Sequence, residues 1–242
     1  MNAKQADALA QQVSLHIQGG QIDTGYTLLA PVISNKIPFR YLDRIGKVLG
    51  AQPFAQTKPL LQQLASSQTI GAWPIIGMAL AGRLEDDLAG VLALTHLFII
   101  EGDTWHSTDS TGERVVGPAL VENFDQTITL LTPWREDENR WVRRSLGVAT
   151  HLWTKRAKGN PELSARAASL LDLLSPLFEE KEMDAVKGIG WGLKTLGRYY
   201  PELAAPWLLE QVVHQQRPYR ATMLRKALTY LPEEARQHIK PA

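Results

Sequence analysis

The sequence predicts an all-α protein, and three observations carry that expectation. Apolar residues recur at intervals of three and four along most of the 242 residues. Alternating apolar–polar runs are scarce. Pro, Gly and Asn cut the pattern into segments of about three to five turns with short connections. The first segments span 3–18, 24–34, 38–50, 56–66 and 72–82, with Pro38 opening the third and Pro53 preceding the fourth. The next, 86–100, begins beside Glu85-Asp86-Asp87, whose charge suits the positive end of a helix dipole and lacks Ca²⁺-loop spacing. Then come 104–109, 113–131 and 138–156, the last starting at Asn139. After Gly159-Asn160-Pro161 follow 162–178, 182–199, 201–214 behind Pro201, and 219–229 between Pro218 and Pro232.

This length supports a core without disulfide staples, and the chain has no cysteine, which removes disulfides, thiol catalysis and cysteine metal sites. The polar start Met1-Asn2-Ala3-Lys4-Gln5 shows no secretory signal, and the apolar stretch around Val91–Ile100 falls short of a membrane span. A cytoplasmic, monomeric protein with no membrane partner is expected. Charge is uneven. Residues 1–133 hold 8 Lys and Arg against 12 Asp and Glu, a net of −4, and residues 134–242 hold 18 against 13, a net of +5. The second half therefore suits a polyanion, although solvated helix faces account for such an excess equally well.

A weak repeat runs through the second half. Val142-Arg143-Arg144-Ser145-Leu146-Gly147-Val148 resembles Val186-Lys187-Gly188-Ile189-Gly190-Trp191-Gly192, and Leu224-Arg225-Lys226-Ala227-Leu228 echoes both, at offsets of 44 and 38 residues. These offsets lie in the range of two-helix solenoid repeats of the HEAT or armadillo kind. The expected architecture is a right-handed stack of about six such repeats in one C-shaped domain over 1–242. Residues 1–71 would form divergent N-terminal repeats, and 72–232 would carry the site.

Three stretches hold candidate chemistry. In Thr104-Trp105-His106-Ser107-Thr108-Asp109-Ser110, Trp105 and Asp109 are one helical turn apart and share a face. A carboxylate beside an indole attracts a cation, although a core tryptophan and a capping aspartate fit the same spacing. His106, Ser107 and Asp109 are too close on one helix to converge as a hydrolytic triad. In Asn139-Arg140-Trp141-Val142-Arg143-Arg144, Trp141 and Val142 face inward; the arginines are either solvated, or Arg144 binds a phosphate or Asp109. Gly188-Ile189-Gly190-Trp191-Gly192 puts three glycines in a helix at about 1 kcal/mol each relative to alanine. Either a neighbouring helix packs closely there, or a ligand approaches an uncluttered Trp191 face, or the helix is weak. The spacing is not a dinucleotide fingerprint, and His16, His96, His106, His151, His214 and His238 make no metal pair.

Taken in order, these stretches resemble the AlkD-like DNA alkylation repair glycosylases, a family of HEAT-like helical repeat proteins. The family's W-x-x-x-D matches Trp105 and Asp109, and its N-x-W-hydrophobic-x-R matches Asn139, Trp141 and Arg144. Its K-x-I-G-W-x-L-(R/K) matches Lys187, Ile189, Gly190, Trp191, Leu193 and Lys194. The resemblance covers roughly 72–232 and is faint before that. It implies hydrolysis of the N-glycosidic bond of cationic N3- or N7-alkylated purines in duplex DNA, with the lesion left stacked rather than flipped. Trp105 and Trp191 would lie against the sugar and Asp109 near its anomeric carbon. Arg144 would grip a phosphate, with Lys194, Arg225, Arg143 and Lys187 as further backbone contacts. No metal or organic cofactor is implied.

The chain departs from its relatives at His106, where the catalytic members have Asp, and at Lys194, which keeps the charge of Arg without its fork. Tyr26 is the nearest equivalent of an aromatic that some relatives take from their first repeats. Two rivals to the glycosylase remain at this point. One is a non-catalytic repeat protein binding damaged or branched DNA, and the other is a protein-binding scaffold.

Overall fold

The computed structural model describes residues 1–239, which are helical with no strand among them. The chain divides into two compact units, Met1–Val115 and the residues from Val116 onward. The change of character expected after residue 71 falls inside the first unit.

The first unit contains α1 (Ala3–Gln18), α2 (Ile22–Ile33), α3 (Phe39–Gly50), α4 (Phe54–Ser66), α5 (Ala72–Ala81), α6 (Leu88–Gly102) and α7 (Trp105–Thr111), followed by a π turn, Gly112–Val116. Helices α1, α3, α5 and α7 pack side by side in one row, and α2, α4 and α6 form a second row. Two rows of alternate helices are what stacked two-helix repeats produce. The space between them is filled by apolar side chains at helical spacing, among them Leu29, Leu42, Ile45, Leu49, Leu64 and Ile75. Asn2 and Gln5 close a capping box on α1. Asp87 caps α6 by accepting from the Gly90 amide, as the acidic cluster led one to expect.

The second unit contains α8 (Gly117–Glu122), α9 (Phe124–Leu131), α10 (Arg140–Ala157), α11 (Ser164–Leu174), α12 (Met183–Tyr199), α13 (Pro201–Leu209), α14 (Ala221–Ala227) and α15 (Glu233–Ile239). Helices α8, α10, α12 and α14 line up in one row, and α11, α13 and α15 in the other. The three similar segments of the sequence lie on α10, α12 and α14, so sequence repeat and row coincide.

Two details of the sequence reading change. The expected helix 113–131 is interrupted at Asn123, whose φ of −134° and ψ of 62° are not helical. The break is held by Thr127, which donates its hydroxyl to the Ala119 carbonyl and its amide to that of Asn123. Helix α15, beyond Pro232, was not expected; at seven residues it is too short to show a periodicity.

Two of the glycines of α12, Gly188 and Gly192, have a clear reason. A Cβ on Gly188 would lie 2.5 Å from the Arg144 side chain, one on Gly192 would lie 2.8 Å from the Gly147 carbonyl oxygen, and one on Gly147 would collide with Gly188. Helices α10 and α12 meet backbone to backbone, and close packing offsets the conformational cost of glycine.

Candidate functional site

In the first unit, α7 turns the usual burial pattern inside out. Chain reversal after α6 uses Asp103 in the left-handed region (φ 39°), and Thr104 then caps α7 through its hydroxyl to the Ser107 amide. Ser107, Thr108, Ser110 and Thr111 are buried, while Trp105 is 53% exposed. Burial of these hydroxyls is tolerable where they bond along their own helix: Thr108 donates to the Thr104 carbonyl (3.0 Å) and Thr111 to that of Ser107 (2.7 Å). The helix rests closely on its neighbours. Gly102 leaves no room for a Cβ beside Ser107 and Trp73, and Arg114 in the following turn pairs with Asp43 on α3 (2.7 Å).

The outer side of α7 therefore presents Trp105, with His106 and Asp109 half-buried beside it. His106 lies against the indole, ring centroids 3.6 Å apart and planes at 36°. Burial lowers the affinity of His106 for a proton, and the Asp109 carboxylate opposes that effect. The capping alternative raised for Asp109 does not hold, because Thr104 caps this helix. Tyr26 lies on α2, in the row that does not include α7.

In the second unit, Asn139 caps α10 by accepting from the Trp141 amide (2.8 Å), which gives the N-x-W spacing its structural meaning. Trp141 and Val142 are buried as expected, but Arg143 and Arg144 are not solvated. Arg144 is only 7% exposed, and one of its terminal nitrogens donates to the Asp184 carbonyl on α12 (2.8 Å). Arg143 gives its guanidinium to Glu180 (2.5 Å) and to the carbonyls of Asp137 and Glu138. Burial alone would raise the Glu180 pKa, but Arg143 and the Lys181 and Glu182 amides hold it below the ordinary value. Equivalent repeat positions thus differ: Arg143 is engaged by Glu180, whereas Lys187 and Arg225 are exposed, with Lys187 3.7 Å from Asp184.

Trp191, on α12, is half-buried and stacks on His151 of α10, centroids 4.0 Å apart and planes at 27°. One and two turns further, Lys194 and Arg198 converge on the exposed ring of Tyr230, at 5.0 and 5.1 Å from its centroid. Two cations over one ring repel each other, an arrangement that suits an anion nearby. The sequence reading gave no role to His151, Thr195, Arg198 or Tyr230. The first two carried a signal: His151 is two turns beyond Arg144, and Thr195 one turn beyond Trp191. Among the described residues no group of His, Asp and Glu has the makings of a metal site.

The chain is all-α with two rows of helices in each unit; one unit displays an indole beside a carboxylate, a setting that attracts a cation, and the other clustered cations with aromatics, a setting that attracts an anion. A match to the family model of the DNA alkylation repair enzyme over residues 42–231 makes this specific. The chain belongs to the family of DNA alkylation repair enzymes, and its work is in DNA repair with DNA as partner. The match begins about thirty residues before the resemblance read from the motifs. No curated protein and no solved structure matches the chain. No helix among the described residues is long and apolar enough to cross a membrane.

Proposed function

We propose that the protein is a monofunctional DNA glycosylase. It hydrolyses the N-glycosidic bond of cationic N3- and N7-alkylated purines in duplex DNA, without base flipping, in base excision repair. The observation that carries this is the exposed Trp105 one turn from Asp109 on α7, in a member of this family.

The chemistry asks little of the protein. An alkylated purine already bears positive charge, so it leaves without a general acid. The barrier is the oxocarbenium-like sugar formed as the bond breaks. Asp109 stabilises that cation and orients or deprotonates the attacking water, and the faces of Trp105 and Trp191 add cation–π and CH–π attraction. Arg144, Lys194, Arg225 and Lys187 hold the backbone. We assign Arg143 to supporting the start of α10 through Glu180 rather than to DNA. No lysine is assigned to a Schiff base, so strand cleavage is not expected. No cofactor enters the reaction, and the protein works as a cytoplasmic monomer.

The test is release of 7-methylguanine or 3-methyladenine from methylated duplex DNA by the purified protein. Release supports the proposal. Tight, salt-sensitive binding without release would favour the second reading, a non-catalytic DNA binder. Its supporting observation is His106 lying on Trp105 where catalytic relatives have Asp.

A further inference from the structure

His151 is a buried titratable group, among the described residues, that the mechanism above leaves unused. It is 8% exposed and sits on α10, facing Trp191 of α12 across the glycine-lined contact of the two helices. A hydrogen bond fixes its ring. The Thr195 hydroxyl donates to the Trp191 carbonyl (3.0 Å), so the same oxygen is left to accept from His151 Nδ1–H (2.6 Å). This assigns the proton to Nδ1 and pins the imidazole plane under the indole. The residue that is latched and the residue that is stacked upon are four apart on one helix, so α12 carries both ends of the clamp.

We infer that His151 is a positioning residue: stacked on Trp191 and latched to Thr195, it holds the indole at the angle in which its other face meets the sugar of the damaged nucleotide. The inference rests on the role proposed for Trp191. The choice of histidine has a second consequence. Burial first, then the nearby Lys155 and Lys194, push its pKa down to about 4, so the ring behind the indole is neutral at physiological pH. A cation there would compete with the cationic sugar for the same π-system; a neutral ring leaves the indole's attraction intact.

The experiment uses His151→Ala, His151→Phe and Thr195→Val in the full chain. His151→Ala is expected to slow single-turnover base release by about 3- to 10-fold, the range of an aromatic pair, with affinity for unmodified duplex unchanged. His151→Phe keeps a flat ring and restores the rate to within about twofold, and Thr195→Val falls between. The second readout is the Trp191 indole N–H signal in NMR, identified by its loss in Trp191→Phe. Removing the ring beneath it in His151→Ala shifts that signal. A wild-type rate in His151→Ala overturns the inference, as does a loss that His151→Phe does not rescue or that DNA affinity matches. If the wild-type protein releases no base, the glycosylase reading fails by itself and the indole signal decides alone: unshifted in both His151→Ala and Thr195→Val, it rules the positioning role out.

Discussion

Each unit holds a tryptophan lying against a histidine, exposed in the first and half-buried in the second, and the two pairs are built by different means. In the first unit Trp105 and His106 are chain neighbours, and their contact needs only the local geometry of α7. In the second, Trp191 and His151 come from different helices, and their stack exists because Gly147, Gly188 and Gly192 let α10 and α12 touch. The electrostatics are opposed as well. Asp109 favours the protonated form of His106, whereas Lys155 and Lys194 disfavour that of His151. The acid sits with the locally built pair, and the cations sit with the pair made by packing. In the reaction proposed above, the developing cation draws on the first setting and the hold on phosphates on the second.

Four measurements break or sharpen this contrast. The largest effect belongs to the acid side. Asp109→Asn keeps the shape of the side chain and removes its charge, so base release falls by about 100- to 1000-fold while DNA affinity stays within a few-fold. A single-turnover assay with a parallel binding titration checks both, and base release that survives the change takes Asp109 out of the mechanism.

Next comes the pH dependence of stability, which tests the packed pair. The His151 pKa is about 4 in the fold against 6.5 for the free group. Between those values the unfolded chain binds the proton and the folded protein does not. The neutral buried ring therefore contributes stability above about pH 6.5, which is lost as pH falls towards 4; the whole is on the order of 3 kcal/mol. Urea unfolding across that range shows the decline, and His151→Phe flattens it.

Third, Gly147→Ala places a methyl group into the backbone of α12, and about 1–3 kcal/mol of destabilisation follows. Gly19→Ala, where the nearest contact is an ordinary 3.5 Å, serves as the control and leaves the melting temperature nearly unchanged. In Gly147→Ala the Trp191 indole signal moves and that of Trp105 does not, because only one of the two stacks depends on this interface.

The smallest effect separates adjacent arginines. Arg144→Ala weakens DNA binding and makes the slope of log affinity against log salt shallower by about 0.9, the value of one lost phosphate contact. Arg143→Ala leaves that slope unchanged and lowers stability instead, since it strands the half-buried Glu180 carboxylate. Equal slopes for wild type and Arg144→Ala remove Arg144 from the phosphate contacts.

Periodicity alone established the helices apart from α15 and the break between α8 and α9, and most of their ends lie within two residues of the positions read from Pro, Gly and Asn, because caps and breakers act locally. It also established that Trp105 and Asp109 share one turn, since that spacing needs nothing beyond the helix itself. Tertiary structure decided what local chemistry leaves open. It settled that Gly188 and Gly192 of α12 serve a backbone contact with α10, that Arg143 is engaged by Glu180, and that His151 and Trp191, forty residues apart, are stacked. Such partners are chosen by which helices become neighbours in a row, and neighbours are selected by the packing of whole faces, which no single stretch of sequence contains.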